Sequence, residues 1–295
     1  MNPIYDFSTG DHAVMVGDQV CLELYRRAIQ NQVKNGMVVA EIGTGTGILS
    51  AYAAAQTNAP IFAIEYAEYS ARMAESMFKA AKFENVQVKR GKSTELTLSP
   101  QPDLLLTETI GALGPEENIV EICYDLKKRH PKLSKFLPAK LRVCAEPISS
   151  ERIRQNKEKF YEAFASASFG TFNYDAIRPT LAEIWTSMIR FDSLYEATPT
   201  AKPLTLVEYE LGTTESSAFR SVVTIPSTQI DATDAIHLYF EAELDPEVLL
   251  TTHFAEPETH WGNAYVARPQ GCNQLVISYE SPSDTLRVQW QKSHS

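Results

Sequence analysis

Short apolar runs alternate with helical patterns through the first half of the chain. The strand patterns are 37–42, 61–65, 86–89 and 104–107, and they are rich in valine, isoleucine and leucine. Helical patterns occupy 48–56 and the segment from Met73 to Phe83. Strands that alternate with helices at this spacing predict βαβ crossovers, and therefore a mostly parallel sheet with helices on its faces.

After Pro138 the pattern changes to strands separated by turn residues. These strand patterns are 141–145, 204–211, 219–225, 236–242, 264–267, 274–279 and 285–290, with helical patterns at 150–165 and 179–190. Such a run of strands favours an antiparallel all-β unit. The sequence therefore predicts two domains, 1–138 with an α/β fold and 139–295 with a β-rich fold.

The segment 39–49 reads as a strand, a glycine turn and a helix start. Its glycines permit a positive φ and let a ligand approach the backbone closely; they are Gly43, Gly45 and Gly47. A dinucleotide-binding turn would need a further glycine where Ile48 stands, so a cofactor without a pyrophosphate fits better. A plain strand-to-helix turn with no ligand is the alternative.

Two glutamates close the first two strands and favour the ligand-binding interpretation. Glu41 lies near the end of the first strand, and Glu65 ends the second, 24 residues later. A carboxylate at the second position can accept hydrogen bonds from both hydroxyls of a ribose.

An acidic hairpin is predicted after the fourth strand. Glu108 emerges at the carboxyl end of that strand, where open α/β sheets place their ligands. A turn containing Gly111 and Gly114 then brings back Glu117, nine residues after Glu108. Two adjacent carboxylates repel each other unless they share a cation, and the guanidinium fork suits such a pair.

The acidic residues of this segment also have a structural interpretation. Glu116, Glu117 and Glu121 would be the acidic first turn of a helix, which the helix dipole favours. The segment alone does not decide between the two.

Composition narrows the classes of function. Lysine and arginine total 27 against 37 aspartates and glutamates, so general affinity for nucleic acid is not expected. The most apolar window, 37–55, is broken by Glu41 and by three glycines, so no membrane span is expected. The four scattered cysteines and the six histidines show no metal-ligand spacing, so no metal site is expected. The scattered cysteines also favour a reducing compartment, and the sequence shows no secretory signal. Together these observations predict a cytoplasmic protein.

Four separated motifs, in order, resemble those of the protein arginine methyltransferases, class I enzymes that use S-adenosylmethionine. The motifs are 41–50 with the glycine turn, 62–65 ending in Glu65, 107–117 with its two glutamates, and the threonine-histidine-tryptophan segment 259–261. The resemblance covers most of the chain.

The resemblance implies a role for each matching residue. It assigns cofactor binding to His12, Met15, Glu41, Gly43, Gly45, Glu65, Ser93, Thr94 and Asn118. It assigns binding of a guanidinium-bearing substrate to Glu108, Glu117 and Trp261. It also implies that His260, paired with Asp18, accepts the proton that the substrate loses late in the reaction.

The resemblance also implies an architecture and a partner. A Rossmann-like methyltransferase domain would be followed, through Pro138, by an antiparallel β-barrel-like domain. A helical arm inserted in that domain, 150–190, would dock on a second copy to form a homodimer.

The chain departs from the family pattern at several positions. The arginine that the family directs at the cofactor carboxylate falls on Cys21, which makes Arg26 or a water the substitute donor. The glutamate expected at the adenine amino group is replaced by Thr94, with Glu95 adjacent. The hairpin lacks the family's aromatic residues, so the acceptor stays open among a protein arginine, a peptide arginine and a small guanidine. A small-molecule methyltransferase of a biosynthetic pathway and a non-catalytic scaffold subunit are the alternatives.

Overall fold

The computed structural model describes residues 9–280 and 286–292. A parallel five-stranded sheet forms the first half, in the order β3-β2-β1-β4-β5. Its strands are β1 (Val39–Ile42), β2 (Ile61–Glu65), β3 (Val86–Arg90), β4 (Leu104–Thr107) and β5 (Lys135–Leu137). Ile42 is in register with Ile64 on one side and Thr107 on the other, so β1, β2 and β4 end at one edge of the sheet.

Five helices accompany this sheet: α1 (Thr9–Gly17), α2 (Gln19–Gln32), α3 (Ile48–Ala54), α4 (Glu68–Ala81) and α5 (Ile119–Arg129). Asp18 caps α2 by accepting a hydrogen bond from the backbone N–H of Cys21 at 2.9 Å, as expected of an aspartate before the first turn. Two short 3-10 helices, Ser93–Glu95 and Pro115–Glu117, lie in the loops after β3 and β4.

Antiparallel strands dominate the second half. They are β6 (Lys140–Ser149), β7 (Ile189–Asp192), β8 (Thr198–Pro199), β9 (Leu204–Glu210), β10 (Phe219–Thr224), β11 (Ala235–Asp245), β12 (Val248–Thr251), β13 (Asn263–Ala267), β14 (Gln274–Tyr279) and β15 (Arg287–Gln291). One sheet has the order β7-β13-β11-β6-β8, with β12 added beside β11 and β9 beside β6, and a second has the order β10-β14-β15.

Two helices are inserted between β6 and β7: α6 (Glu151–Ser166) and α7 (Arg178–Ser187). The predicted helix 179–190 is therefore wrong in its last residues. Ile189 and Arg190 belong to β7, where they pair with Val266 and Tyr265. Pairing with β13 overrides the local helical pattern, because strand formation depends on the neighbouring strand more than on intrinsic preference.

The two halves share one hydrophobic core. Buried side chains of the parallel sheet, such as Val39 and Leu105, and of the antiparallel sheet, such as Leu141 and Phe240, form a continuous cluster. The chain passes between the sheets at Pro138, and the Ala139 N–H donates to the Glu243 carbonyl oxygen at 2.8 Å. The predicted fold class, a Rossmann-like sheet followed by a barrel-like antiparallel unit, is confirmed. Because the core is continuous, the division into domains 1–138 and 139–295 stays a prediction.

Within residues 9–280 and 286–292, every helix is too short or too polar to cross a bilayer.

Candidate active site

A cavity of about 1080 Å³ opens at the shared carboxyl edge of β1, β2 and β4. This is the position at which open α/β sheets bind ligands. The cavity brings together most of the predicted site residues, namely His12, Met15, Glu41, Gly43, Gly45, Glu65, Ser93, Thr94, Glu108, Glu117, Asn118, His260 and Trp261. Asp18 is not in the lining and contacts His260 instead.

The glycine turn after β1 requires glycine at two positions on the cavity wall. Gly45 has a φ of +52°, and a Cβ there would lie 3.1 Å from Cε1 of His12. Gly43 has a φ of +70°, and a Cβ there would lie 2.9 Å from Cγ2 of Thr109. Any larger residue would therefore be strained and would displace a neighbour.

Glu65 stands at the end of β2 with its carboxylate oriented by two backbone donors. Oε2 accepts from the N–H of Gly45 and Oε1 from the N–H of Ala67, each at 2.9 Å. Each carboxylate oxygen has a second lone pair, so both oxygens can accept from a pair of ribose hydroxyls without losing these bonds.

Glu41 stabilises the glycine turn through hydrogen bonds. Its Oε2 accepts from the hydroxyl of Thr44 at 2.6 Å and from the hydroxyl of Ser50, and the residue is only 1% exposed. Burial raises the pKa of Glu41 to about 7, although both hydroxyl groups act in the opposite direction.

The segment between Glu108 and Glu117 is a tight hairpin. Gly111 and Gly114 exchange two backbone hydrogen bonds of 2.9 Å. Glu117 ends the 3-10 helix before α5, and only Glu121 lies in the first turn of α5. The helix-start interpretation therefore applies to Glu121, while Glu108 and Glu117 line the cavity.

Both glutamates of the hairpin hold a proton more readily than a free glutamate while no cation is near. Burial raises the pKa of Glu108 well above its usual range, and the charges of Glu117, Asp18 and Glu41 raise it further. Burial and the charge of Glu116 raise the pKa of Glu117 to about 7. A cation between the two carboxyl groups would favour their ionised forms, so the pair is suited to bind one.

His260 is fixed by Asp18 from outside the cavity. Asp18 Oδ2 accepts from the backbone N–H of His260 at 2.8 Å and contacts its Nδ1 at 2.9 Å. Burial alone would raise the pKa of Asp18, but the hydrogen bonds from His260 and Cys21 outweigh it and the pKa is lowered. Because an ionised Asp18 can only accept, Nδ1 carries the hydrogen and Nε2 is left as the basic nitrogen of the ring.

Trp261, from the second half of the chain, contacts the hairpin. Its Nε1 donates to the carbonyl oxygen of Ile110 at 3.0 Å, and its ring meets that of Phe240 edge to face at 5.0 Å. The loop 259–261 thus closes one side of the cavity.

The prediction that Arg26 donates to the cofactor carboxylate is wrong. Its guanidinium binds Glu23 on the surface of α2, at 2.7 and 2.6 Å, and it does not line the cavity. Arg26 and Glu23 are three residues apart and share one helix face, whereas buried Cys21 faces the cavity. Lys92 is the one lysine or arginine among the described lining residues.

One carboxylate beside the cavity was interpreted from the sequence only as part of a helix start. Glu116 accepts the Leu113 N–H with both oxygens, at 2.9 and 3.2 Å, inside the hairpin. A carboxylate three residues after a backbone donor in a glycine-rich turn is the signal that could have revealed it.

The described part of the chain holds no group of three or more histidine, cysteine, aspartate or glutamate side chains placed to bind a metal ion.

Comparisons with known proteins agree on a methyltransferase fold. A family model for ribosomal protein L11 methyltransferase (PrmA) matches residues 1–109. Protein arginine N-methyltransferase 1.1 of Arabidopsis thaliana is 30% identical over 159 residues, which are 52% of this chain and 40% of that protein. Protein arginine N-methyltransferase 1 of Dictyostelium discoideum is 24% identical over 261 residues, which are 85% of this chain and 74% of that protein.

A solved structure of the Trypanosoma brucei PRMT1 enzyme-prozyme heterotetrameric complex with AdoHcy superimposes with a TM-score of 0.75. It covers 97% of this chain and 95% of that chain at 18% identity. The chain is similar to these protein arginine methyltransferases. At 18% identity the solved structure shows the shared fold alone. The chain spans about 40% of the length of the Arabidopsis thaliana protein and a similar share of the histone-arginine methyltransferase CARMER of Anopheles gambiae.

The buried Glu41 carboxyl group predicts a pH-dependent stability difference. The pKa of Glu41 is raised from 4.5 to about 7, so the folded state binds more protons than the unfolded state between these values. This shift contributes about 3 kcal/mol to the free energy of unfolding. The contribution is fully present below pH 4.5 and is lost as the pH rises through about 7. Glu41→Gln stays neutral, so its melting temperature relative to the wild type is expected to rise from pH 5 to about pH 7 and to level off above it. A constant difference across that range would contradict the assignment.

Proposed function

We propose that this protein is an S-adenosylmethionine-dependent N-methyltransferase that acts on a guanidinium group, most simply an arginine in a protein or peptide. The observation that carries the proposal is that Glu108 and Glu117 line the same cavity as the glycine turn and Glu65. A cation site and a nucleoside site therefore adjoin at one sheet edge. The names of the related proteins support the same activity.

The residues present fit S-adenosylmethionine. Glu65 offers both carboxylate oxygens at the end of β2, and Gly43 and Gly45 keep the wall beside it free of side chains. His12 reaches across from α1, with Nε2 3.0 Å from the hydroxyl of Ser70. The bound cofactor would supply a methyl group on a sulfonium, whose transfer is an in-line displacement.

The chain's own residues would then align the acceptor. Glu108 and Glu117 bind the guanidinium and orient one terminal nitrogen toward the cofactor, which reduces the orientational cost of the reaction. Their negative charge also concentrates positive charge on the nitrogens they bind, leaving the other nitrogen more nucleophilic. As the new nitrogen–carbon bond forms, that nitrogen loses a proton, and Nε2 of His260 accepts it while Asp18 holds the ring.

A methylation assay tests this proposal and separates it from a small-molecule enzyme. Basic peptides with one arginine are compared with free arginine and simple guanidines, at equal guanidinium concentration. We expect peptide turnover to exceed that of the free guanidines. Turnover confined to the small guanidines would support a biosynthetic methyltransferase instead.

A non-catalytic scaffold subunit is the second candidate, and one observation favours it. Cys21 faces the cavity where a basic side chain could meet the cofactor carboxylate, and Arg26 is paired with Glu23 on the surface. Calorimetry with S-adenosylmethionine distinguishes the two candidates. Saturable binding at micromolar concentrations supports the enzyme, and an absence of binding supports the scaffold.

We also propose that the arm 150–190, which contains α6 and α7, mediates a homodimer. Phe169 and Phe172 near its tip are 85% and 63% exposed. Large apolar side chains exposed together usually mark an interaction surface. We expect a dimer in sedimentation at micromolar concentration, and a monomer for the double variant Phe169→Ser with Phe172→Ser. A monomeric wild type at that concentration would contradict the proposal.

The cytoplasmic location and the lack of a nucleic-acid partner stay predictions from composition and charge.

A further inference from the structure

The hairpin between Glu108 and Glu117 contains a third carboxylate that does not line the cavity. Glu116 turns inward, and both of its oxygens accept the N–H of Leu113, at 2.9 and 3.2 Å. A Cβ added to Gly111 would lie 2.5 Å from Oε2 of Glu116, so the carboxylate packs directly against the hairpin backbone.

We propose that Glu116 is a positioning residue for Glu117: its carboxylate fixes the shape of the hairpin, and its negative charge acts on the neighbouring Glu117. This inference rests on the proposed function, because it describes how one half of the guanidinium grip is prepared.

The Glu116 carboxylate holds the shape of the turn. Between the bridge residues Gly111 and Gly114, the N–H of Leu113 points into the turn, and the Glu116 carboxylate is the acceptor it meets there. A buried backbone N–H that loses its acceptor is costly. Without the carboxylate we expect the turn to rearrange, and Glu117, one residue further on, to move with it.

Glu116 also acts on Glu117 through its charge. Beyond burial, the charge of Glu116 is what raises the pKa of Glu117. Burial likewise raises the pKa of Glu116 to about 7, against the lowering effect of the backbone donors. The two carboxyl groups thus titrate in one range of pH, and ionisation of either opposes ionisation of the other.

Charged and titratable groups of three neighbouring strands face the pair. Glu108 at the end of β4 interacts with Glu117 from across the cavity, and Tyr209 of β9 lies near Glu116 and Glu121. The hydroxyl of Tyr279 in β14 donates to the carbonyl oxygen of Pro115 at 3.4 Å. Burial raises the pKa of Tyr209 far beyond the neutral range, so this phenol stays uncharged. Among these groups, the carboxyl groups of Glu108 and Glu116 act on Glu117 in the neutral range.

Two substitutions at one position separate the geometric effect from the electrostatic effect. Glu116→Gln keeps an acceptor for Leu113 but has no charge, whereas Glu116→Ala removes both. Glu121→Gln is the matched control. Glu121 also accepts a backbone N–H, that of Ser217 at 2.8 Å, but lies outside the cavity lining.

The experiment measures kcat/KM for an arginine peptide from pH 5.5 to 9 in each protein. Glu116→Gln is expected to shift the acid limb of the profile down by about half to one pH unit, because Glu117 ionises more easily. Glu116→Ala is expected to lower kcat at least about 10-fold at every pH, because Glu117 is misplaced. Glu121→Gln should superimpose on the wild type. An unshifted Glu116→Gln profile, or an equal shift in Glu121→Gln, would overturn the proposal.

A direct titration keeps this outcome separate from failure of the proposed function. The carboxyl carbon of Glu117 is followed by NMR in protein labelled at glutamate, with Glu117→Gln used to assign the signal. We expect its pKa to fall in Glu116→Gln whether or not any guanidine is methylated. An unchanged titration in an active enzyme rejects the role of Glu116 alone, whereas a shifted titration in an inactive protein rejects the proposed activity alone.

Discussion

Glu108→Gln or Glu117→Gln is expected to lower turnover of a guanidinium substrate by roughly 100-fold or more. Either change keeps size and shape and removes one of the two charges that meet the cation, a loss on the order of 3 kcal/mol for one preorganised electrostatic contact. Affinity for S-adenosylmethionine should change little, because Glu65 and the glycine turn form a separate part of the cavity wall. Steady-state kinetics and calorimetry on the two variants measure both quantities.

The melting temperatures of the same variants distinguish a guanidinium-binding role of Glu108 and Glu117 from a merely structural role. Burial already disfavours the charged form of both glutamates, so the neutral amide should leave stability at pH 8 unchanged or improved. Replacing an acidic residue at a helix start would have the opposite effect. It would lower the free energy of unfolding by about 0.3 to 1 kcal/mol and leave activity intact. Glu121→Gln, in the first turn of α5, serves as the control for that behaviour. Active, slightly destabilised variants at 108 and 117 would reject the guanidinium grip.

Glu65→Gln is expected to weaken S-adenosylmethionine binding by about 1.5 to 3 kcal/mol, the range for hydrogen bonds to a charged group. The wild-type carboxylate accepts two backbone N–H bonds and keeps lone pairs for two hydroxyls. An amide has one oxygen and brings an NH2 group against one of the backbone donors, so it disturbs both the ligand and the turn. Isothermal titration with the cofactor measures the change.

Glu68→Gln provides the matched control for this variant. Glu68 lies three residues further along the chain and pairs with Arg72 and Arg90 on the surface. Exposed ion pairs contribute little, so its removal should leave cofactor affinity within experimental error. Equal affinities in all three proteins would remove Glu65 from the cofactor site.

Much of the architecture could be read from local patterns. The parallel strands β1 to β4 were predicted because each is a short run rich in valine, isoleucine or leucine that is bounded by turns, and most strands of the second half were predicted in the same way. Four strands were missed: β5, β7, β8 and β12. All four are short, and each is defined by the strand it pairs with, respectively β4, β13, β6 and β11, rather than by its own composition.

The site was predictable where it depends on strand ends and less so where it depends on side-chain direction. That Glu65 and Glu108 meet at one edge follows from the parallel order of the sheet. The surface pairing of Arg26 with Glu23 and the inward turn of Glu116 depend on side-chain contacts within three residues, and a prediction of strand and helix boundaries does not include such contacts. The packing of α2 against the antiparallel half, marked by Asn31 Nδ2 at 2.7 Å from Asp245 Oδ2, required the tertiary structure.

We propose that the acidic pair, Glu108 and Glu117, selects a guanidinium for methyl transfer. The most direct measurement is transfer of a labelled methyl group from S-adenosylmethionine to a peptide with one arginine and to the same peptide with lysine, with the modified atom located by mass spectrometry. The planar fork of a guanidinium can engage both carboxylates, which a single ammonium cannot match. We predict label on a guanidinium nitrogen of the arginine peptide, little on the lysine peptide, and loss of the signal in Glu117→Gln. Equal labelling of both peptides, or labelling that survives Glu117→Gln, would contradict the account.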